Sequence, residues 1–248
     1  MSIRARTVLF VVSALGTTAL LGWGIAGLPS FGHYAGPYGN LIAELSKPQR
    51  HVANAVTAVV FDYRGFDTLG EELIMVAAAA ATAMLLREVR ESSTRRIVDR
   101  VRSEAVAAVG ALTAVATLVL ALQVIAHGFL TPGGGFQGGV VLSAAVALVF
   151  IGVEYRAFSV MTRGQVIEPF EGTGAAAFVG FALLSLALGL SFLQNFLPHG
   201  TFNRLTSGGS LSLVNWSSGI AVAGAFLVLY AEYLEEAVVA RHPRSREG

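Results

Sequence analysis

Cysteine is absent from all 248 residues. Its absence excludes disulfides, thiolate zinc sites and iron–sulfur ligation within the chain. Charge is scarce as well. Asp, Glu, Lys and Arg make up 13% of the residues, about half the fraction of an ordinary soluble protein. These charges are bunched between long apolar runs, and 54% of the chain is hydrophobic. The net charge of +1 says little about partners, because the sidedness of charges in such a chain matters more than their sum. No Ser/His/Asp arrangement, no metal-ligand cluster and no Gly-Lys-Ser/Thr phosphate loop occurs. Only His127 falls plausibly within an apolar run, which argues against a bis-histidine haem. The residues therefore point to no catalytic site, no cofactor and no nucleic-acid partner, and they assign no metal.

What is present is a bilayer pattern. A spanning helix needs about 20 mostly apolar residues to cross about 30 Å of hydrocarbon. Six runs qualify: Thr7–Leu28, Leu69–Leu86, Glu104–Gly128, Phe136–Tyr155, Gly172–Phe196 and Leu213–Tyr233. Continuous runs of this kind read as helices, not as the short alternating strands of a barrel. The expected fold is an all-α integral membrane protein with six transmembrane helices. The first run follows Arg4 and Arg6, as a signal peptide would, but it is long for one and is read as a retained helix. Pro29–Asn40 reads as a loop. After it, Val52, Ala55, Val56, Val59 and Val60 follow the amphipathic helical pattern. A helix over His51–Phe61 is too short to span, so it is expected to be interfacial or re-entrant, or to lie on a neighbouring subunit.

Basic residues set the expected topology. Arg4 and Arg6, the six Arg from Arg87 to Arg102, Arg156 and Arg163, and Arg241, Arg244 and Arg246 all fall on one side of a six-span chain. That side carries thirteen basic residues; Lys47, Arg50, Arg64 and Arg204 leave four on the other. Both termini are expected to be cytoplasmic in a multi-pass plasma-membrane protein. The Arg-rich stretch divides the chain into a two-span module over 1–90, a cytoplasmic loop over 91–103, a four-span module over 104–240 and a tail over 241–248.

Two stretches could carry chemistry. In Phe61-Asp-Tyr-Arg-Gly-Phe-Asp-Thr-Leu-Gly-Glu-Glu72, the ionisable groups Asp62, Arg64, Asp67, Glu71 and Glu72 precede or open an apolar helix. A carboxylate there can relay protons or cations. Thr68-x-x-Glu71 is also a capping box, so the acids have a structural reading as well. Arg64 should pair with Asp62 or Asp67, since a buried Arg without a partner is costly. The second stretch runs His127-Gly-Phe-Leu-Thr131-Pro132-Gly133-Gly134-Gly135-Phe-Gln137-Gly-Gly. Its glycines imply unusual backbone angles and close approach, with at least one of Gly133–Gly135 at positive φ. His127 stands four residues after Gln123 and is either a proton carrier or a backbone-bonded structural residue. Glu154 and Arg156 read as an interfacial pair. Glu232, Glu235 and Glu236 read as a solvated face. The Ala77–Ala81 run and Gly219 with Ala223 read as small faces for tight helix packing.

The first stretch resembles the Asp-x-Arg-Gly-Phe-Asp-Thr-x-Gly-Glu signature near the C-terminus of the large A subunit of Mrp-type antiporters, and that of a small subunit of membrane-bound hydrogenase complexes. The Thr-Pro-Gly-Gly-Gly-Phe-Gln-Gly-Gly run is similar to the signature of the antiporter B subunit, the MnhB-type domain. Together they cover nearly the whole chain, as though the two modules were fused. The resemblance implies a non-catalytic subunit of a complex that exchanges Na+ or K+ for H+. Its partners would be large A- and D-type proton-channel-like subunits and other small membrane subunits. An ion or proton path would involve Glu71, Asp67, Asp62, Arg64, Glu72 and His127. The alternative is the membrane arm of a hydrogenase-like or complex I-like redox-driven pump.

Overall fold

The structure is a computed structural model that describes residues 3–28, 32, 36–91, 103–152, 155–162 and 164–239. The Arg-rich stretch from Arg95 to Arg102, Glu154, Arg163 and the basic tail lie outside the described residues. Nine α-helices occur among those described: α1 (Ile3–Ala26), α2 (Pro37–Arg50), α3 (Ala55–Ala58), α4 (Gly65–Glu91), α5 (Glu104–Ala126), α6 (Gly135–Gly152), α7 (Tyr155–Met161), α8 (Gly164–Ala187) and α9 (Leu211–Val239). A single π-helical turn, Val59–Tyr63, stands between α3 and α4. Among the described residues, six helices are long and apolar enough to cross a membrane: Thr7–Ala26, Gly65–Leu86, Glu104–Ala126, Gly135–Gly152, Pro169–Ala187 and Leu211–Leu234.

The chain divides into two compact units, Met1–Leu41 and Ile42–Gly248. The first holds α1, whose apolar side chains run all the way round, as suits a helix in lipid. The second is built around α9. Its spanning segment is 72% buried, against 17% for α5, so α9 is the central helix and α5 an outer one. Helices α4, α6 and α8 pack directly on α9, and α5 packs on α6.

Small residues allow these contacts. A Cβ on Gly139 of α6 would stand 2.6 Å from the carbonyl oxygen of Gly219 on α9. A Cβ on Gly110 of α5 would stand 2.5 Å from the Cα of Gly152. Helices in lipid gain little from excluding water, so close backbone approach is the main source of their association. Gly219 and Ala223 sit in this packing as the sequence predicts. Of the Ala77–Ala81 run, only Ala79 is buried.

Two local expectations change. The fifth span ends at Ala187, not Phe196. Gly189, at φ +76°, terminates the helix while Leu190 N–H bonds back to the Ser185 carbonyl at 3.0 Å. The apolar residues beyond it are a folded connection whose Leu193 packs into the core with Phe61 and Phe178. The helix expected over His51–Phe61 is also different. A longer helix, α2, precedes it inside what reads as loop and linker. His51 then turns the chain at φ +55°, and helix resumes only at Ala55. Asn54 caps that restart, its Oδ1 accepting Val56 N–H at 3.1 Å. Val52 of the expected face is buried, but beyond it the inward residues are Thr57, Ala58 and Phe61, while Val56 is 61% exposed. The apolar face drawn from a continuous helical pattern is therefore buried only in part.

Candidate functional site

The segments joining α2 to α4, α5 to α6 and α8 to α9 meet at one end of the second unit, and polar bonds hold them there. Asn54 Nδ2 donates to the Gly128 carbonyl at 2.7 Å and the Thr131 carbonyl at 3.0 Å. Thr57 Oγ1 donates to the same Gly128 carbonyl at 2.6 Å. The His51 ring bonds through Nδ1 to the Gly200 carbonyl at 2.6 Å. The two sequence stretches singled out above thus lie side by side.

Within the Gly-rich turn, the His127 carbonyl accepts Leu130 N–H at 2.8 Å and Thr131 N–H at 2.9 Å, and Thr131 Oγ1 donates to it at 3.2 Å. Gly133 and Gly134 have φ of +151° and +154°, as expected for a turn that only glycine fits easily. Pro132 is exposed at its tip. Gly135 starts α6, and its N–H donates to Asn215 Oδ1 at 2.5 Å; Asn215 Nδ2 donates to the Ile125 carbonyl at 2.5 Å. One buried side chain on α9 therefore fixes both ends of the turn. The His127 ring lies at the end of α5 with Nδ1 3.3 Å from the Gln123 carbonyl, on a partly exposed surface.

The charged residues of the first stretch separate into three settings. Asp62 pairs with Arg50, and Arg64 pairs with Asp67. Arg64 therefore has a carboxylate partner, as expected, while the other aspartate is taken by a residue on α2. Burial pushes the Asp62 carboxyl above its ordinary value of 3.8, against the pull of the Arg50 charge and smaller contributions from His199 and Asn195. Burial and the Arg50 charge push the His199 imidazole below its ordinary 6.5, with Asp62 opposing.

The capping-box reading of Thr68 is replaced. Helix α4 already begins at Gly65, and Thr68 Oγ1 donates to the Val60 carbonyl at 2.5 Å, stitching the π-turn to the helix. That π-turn leaves carbonyls without the regular helical donor, and Thr68 supplies one. Glu71 is exposed and opens on a cavity of about 190 Å³ lined also by Thr57, Thr68, Gly134, Phe136 and Gln137. Glu72, the next residue, points the other way. It is 1% exposed, and neither carboxylate oxygen has a hydrogen-bond partner.

Several functional candidates escaped the sequence reading. Asn215 and Ser218 stand inside the sixth span with 0% exposure; a polar residue in a hydropathic run was the available signal. Glu171, in α8, is 7% exposed. Glu232 is 4% exposed, so the solvated face expected there is wrong for that residue: α9 continues through it packed among its neighbours. Among the described residues, no group of three or more His, Asp or Glu could hold a metal ion.

These features define a multi-pass helical membrane protein with a carboxylate at a mouth and another buried behind it. The family model described as a domain related to the MnhB subunit of Na+/H+ antiporter matches residues 105–228, half of the chain. The chain belongs to that family, which is one of an antiporter membrane subunit. An uncharacterized protein of Methanocaldococcus jannaschii is 25% identical over 218 residues, covering 79% of this chain and 83% of that protein. A chain of the archaeal membrane-bound sulfane sulfur reductase, a respiratory membrane complex, is 28% identical with TM-score 0.65, over 93% of this chain and 98% of that one. A chain of the Mrp complex from Dietzia sp. DQ12-45-1b shares the fold at 19% identity and TM-score 0.68; it covers this chain entirely, and this chain spans 27% of it.

Proposed function

We propose that this protein is a non-catalytic subunit of a multisubunit antiporter exchanging Na+ or K+ for H+, and that Glu71 is its ion-handling group. The observation that carries this reading is the position of Glu71. Glu71 lines the cavity between the acidic stretch and the Gly-rich turn, together with Thr57, Thr68 and Gln137 and the apolar Val56, Val60, Phe61 and Phe136. A carboxylate at a membrane helix end beside a largely apolar space can take up a cation or a proton in exchange. Asp62, Arg64 and Asp67 then act as paired charges that hold the mouth in shape. The Gly-rich turn through Thr131–Gln137 shapes the opposite wall, and His127 acts as a structural residue at its edge.

The module over 1–90 resembles the end of an antiporter A subunit, and the module over 104–240 is the MnhB-like part. The partners are large A- and D-type subunits and small membrane subunits. The protein lies in the plasma membrane with both termini cytoplasmic, which the thirteen-to-four distribution of basic residues supports. Reconstitution of the purified complex tests the reading. Glu71→Gln should assemble at parental yield and exchange cations for protons about tenfold or more slowly. Exchange at the parental rate would remove Glu71 from the path.

One observation favours a second reading, the membrane arm of a redox-driven complex. The match to the sulfane sulfur reductase chain runs nearly end to end on both proteins. Copurification separates the two. Cysteine-rich hydrophilic partners would support the redox arm, and membrane subunits alone would support the antiporter.

A further inference from the structure

Three neighbouring helices each bury one carboxyl group in the body of the second unit: Glu72 on α4, Glu171 on α8 and Glu232 on α9. Their depths follow from the helices. Both α4 and α9 start at the end where the three connections meet. Glu72 and Ser218 each stand seven residues in, from Gly65 and Leu211, which is about 10 Å deep at 1.5 Å per residue. Ser218 is close enough to act on the Glu72 charge, yet neither its Oγ nor the Glu72 oxygens reach hydrogen-bond geometry with any partner. Gly224 lies six residues further along α9, about 9 Å. A Cβ there would stand 2.5 Å from the Cα of Glu171, so Glu171 is seated against it. Glu232 follows about 12 Å beyond. Between these levels the three helices meet in one cluster of small or slender apolar side chains that includes Ala79, Ala83, Ile167 and Ala225.

We propose that the α4–α8–α9 seam is a proton path, with Glu72 and Ser218 as its outer station, Glu171 as its middle one and Glu232 as its inner one. The ligand is a proton and not a metal cation because of what surrounds Glu72. Hard cations take about six or more oxygens, and here one carboxyl and one hydroxyl meet amid packed helices. Those two groups suffice for a proton: a side-chain rotation that brings them into hydrogen-bond geometry lets a carboxylic O–H donate to Ser218 Oγ. Among the described residues no cationic side chain pairs with Glu72, and the charged neighbour acting on it is Glu71. An ionised carboxylate in that position would be left uncompensated, which favours the protonated acid. Stations about 9–12 Å apart require water between them during transfer. The proposal rests on the ion-transport reading for its consequence, but its first readout does not need transport.

Infrared spectroscopy of the purified complex in D2O reads the proton directly. A protonated-acid carbonyl band should be present in the parent, vanish in Glu72→Gln, shift in Ser218→Ala and persist in Glu71→Gln. Gln is a neutral isostere of the protonated acid, so assembly should hold, and Ser218→Ala gives an independent variant if it does not. A band set unchanged by Glu72→Gln would overturn the outer station. So would loss of the band on adding sodium chloride at fixed pH, which would make Glu72 a cation ligand. In proteoliposomes with a pH-sensitive dye, Glu171→Gln and Glu232→Gln should each slow proton movement about tenfold or more. Parental rates in both would overturn the rest of the line. If the parent complex exchanges no cation for protons, the antiporter reading falls while the Glu72 band still decides the outer station.

Discussion

Glu71 and Glu72 are adjacent in sequence, yet one opens on a cavity and the other is sealed inside. Successive helical residues point about 100° apart, so a one-residue choice decides which acid meets water. The sequence shows two acids opening an apolar helix and cannot say which faces α9. Arg50 presents the opposite case: nothing in its sequence neighbourhood marks it, and it pairs with Asp62 only because α2 brings it there. Arg50→Ala should leave the buried Asp62 without its counter-charge, lowering stability by about 3 kcal/mol. The deficit should depend on pH with a definite sign. The folded Asp62 carboxyl sits above its ordinary 3.8, and without Arg50 it rises further. The folded state then binds protons more tightly than the unfolded one, so stability falls as pH rises through the window above 3.8. Thermal stability of the detergent-solubilised complex should therefore differ most between parent and variant at neutral to alkaline pH and converge on acidification. A pH-independent difference would contradict the pairing. His199 works in the opposite sense. Its folded value lies below 6.5, so acidification below 6.5 costs the parent stability that His199→Gln should recover.

At the scale of elements, the Gly-rich turn and the first turn of α6 are held by backbone shape and by one buried amide. Asn215→Ala would orphan the Gly135 N–H and leave the Ile125 carbonyl only its backbone bond from Gly128 N–H at 3.2 Å. Buried groups left unsatisfied cost about 1–3 kcal/mol each. The expected outcome is a complex that unfolds at clearly lower temperature, measured by size-exclusion after heating. Gly134→Val places a β-branched residue at φ +154°, and complex yield should drop. Gly139→Val should act by a different route, pushing α6 away from the Gly219 backbone at a cost of about 1–3 kcal/mol or more. Equal yields for parent and both glycine variants would show that these helices tolerate separation.

At the scale of the whole molecule, the second unit is an α-helical membrane body whose candidate site is assembled from three connections far apart in sequence. Its orientation in the bilayer is a prediction of charge alone. A cysteine placed in the tail beyond Val239, in this chain that has none, should be labelled by impermeant maleimide only in inverted vesicles. A cysteine at exposed Asn203 should be labelled only in right-side-out ones. The reverse pattern would invert the topology and put the Glu71 cavity on the cytoplasmic side.

The sequence by itself determined the solvent and the spans. Continuous apolar runs about 20 residues long can satisfy their backbone only as helices in lipid, and the observed spans depart from the expected ones chiefly where local chemistry intervened. Gly189 cut the fifth span short, because a positive-φ glycine ends a helix whatever apolar residues follow. The sequence also picked out the two stretches that meet at the candidate site, since dense glycine and clustered charge are local signals. Tertiary structure decided the rest. The α2 helix and the break at His51 were invisible because that segment is held by distant carbonyls at Gly128, Phe129 and Gly200. The burial of Glu72, Glu171 and Glu232 depends on which helix packs on α9 and at what rotation. That is a property of three segments together, and none of them encodes it alone.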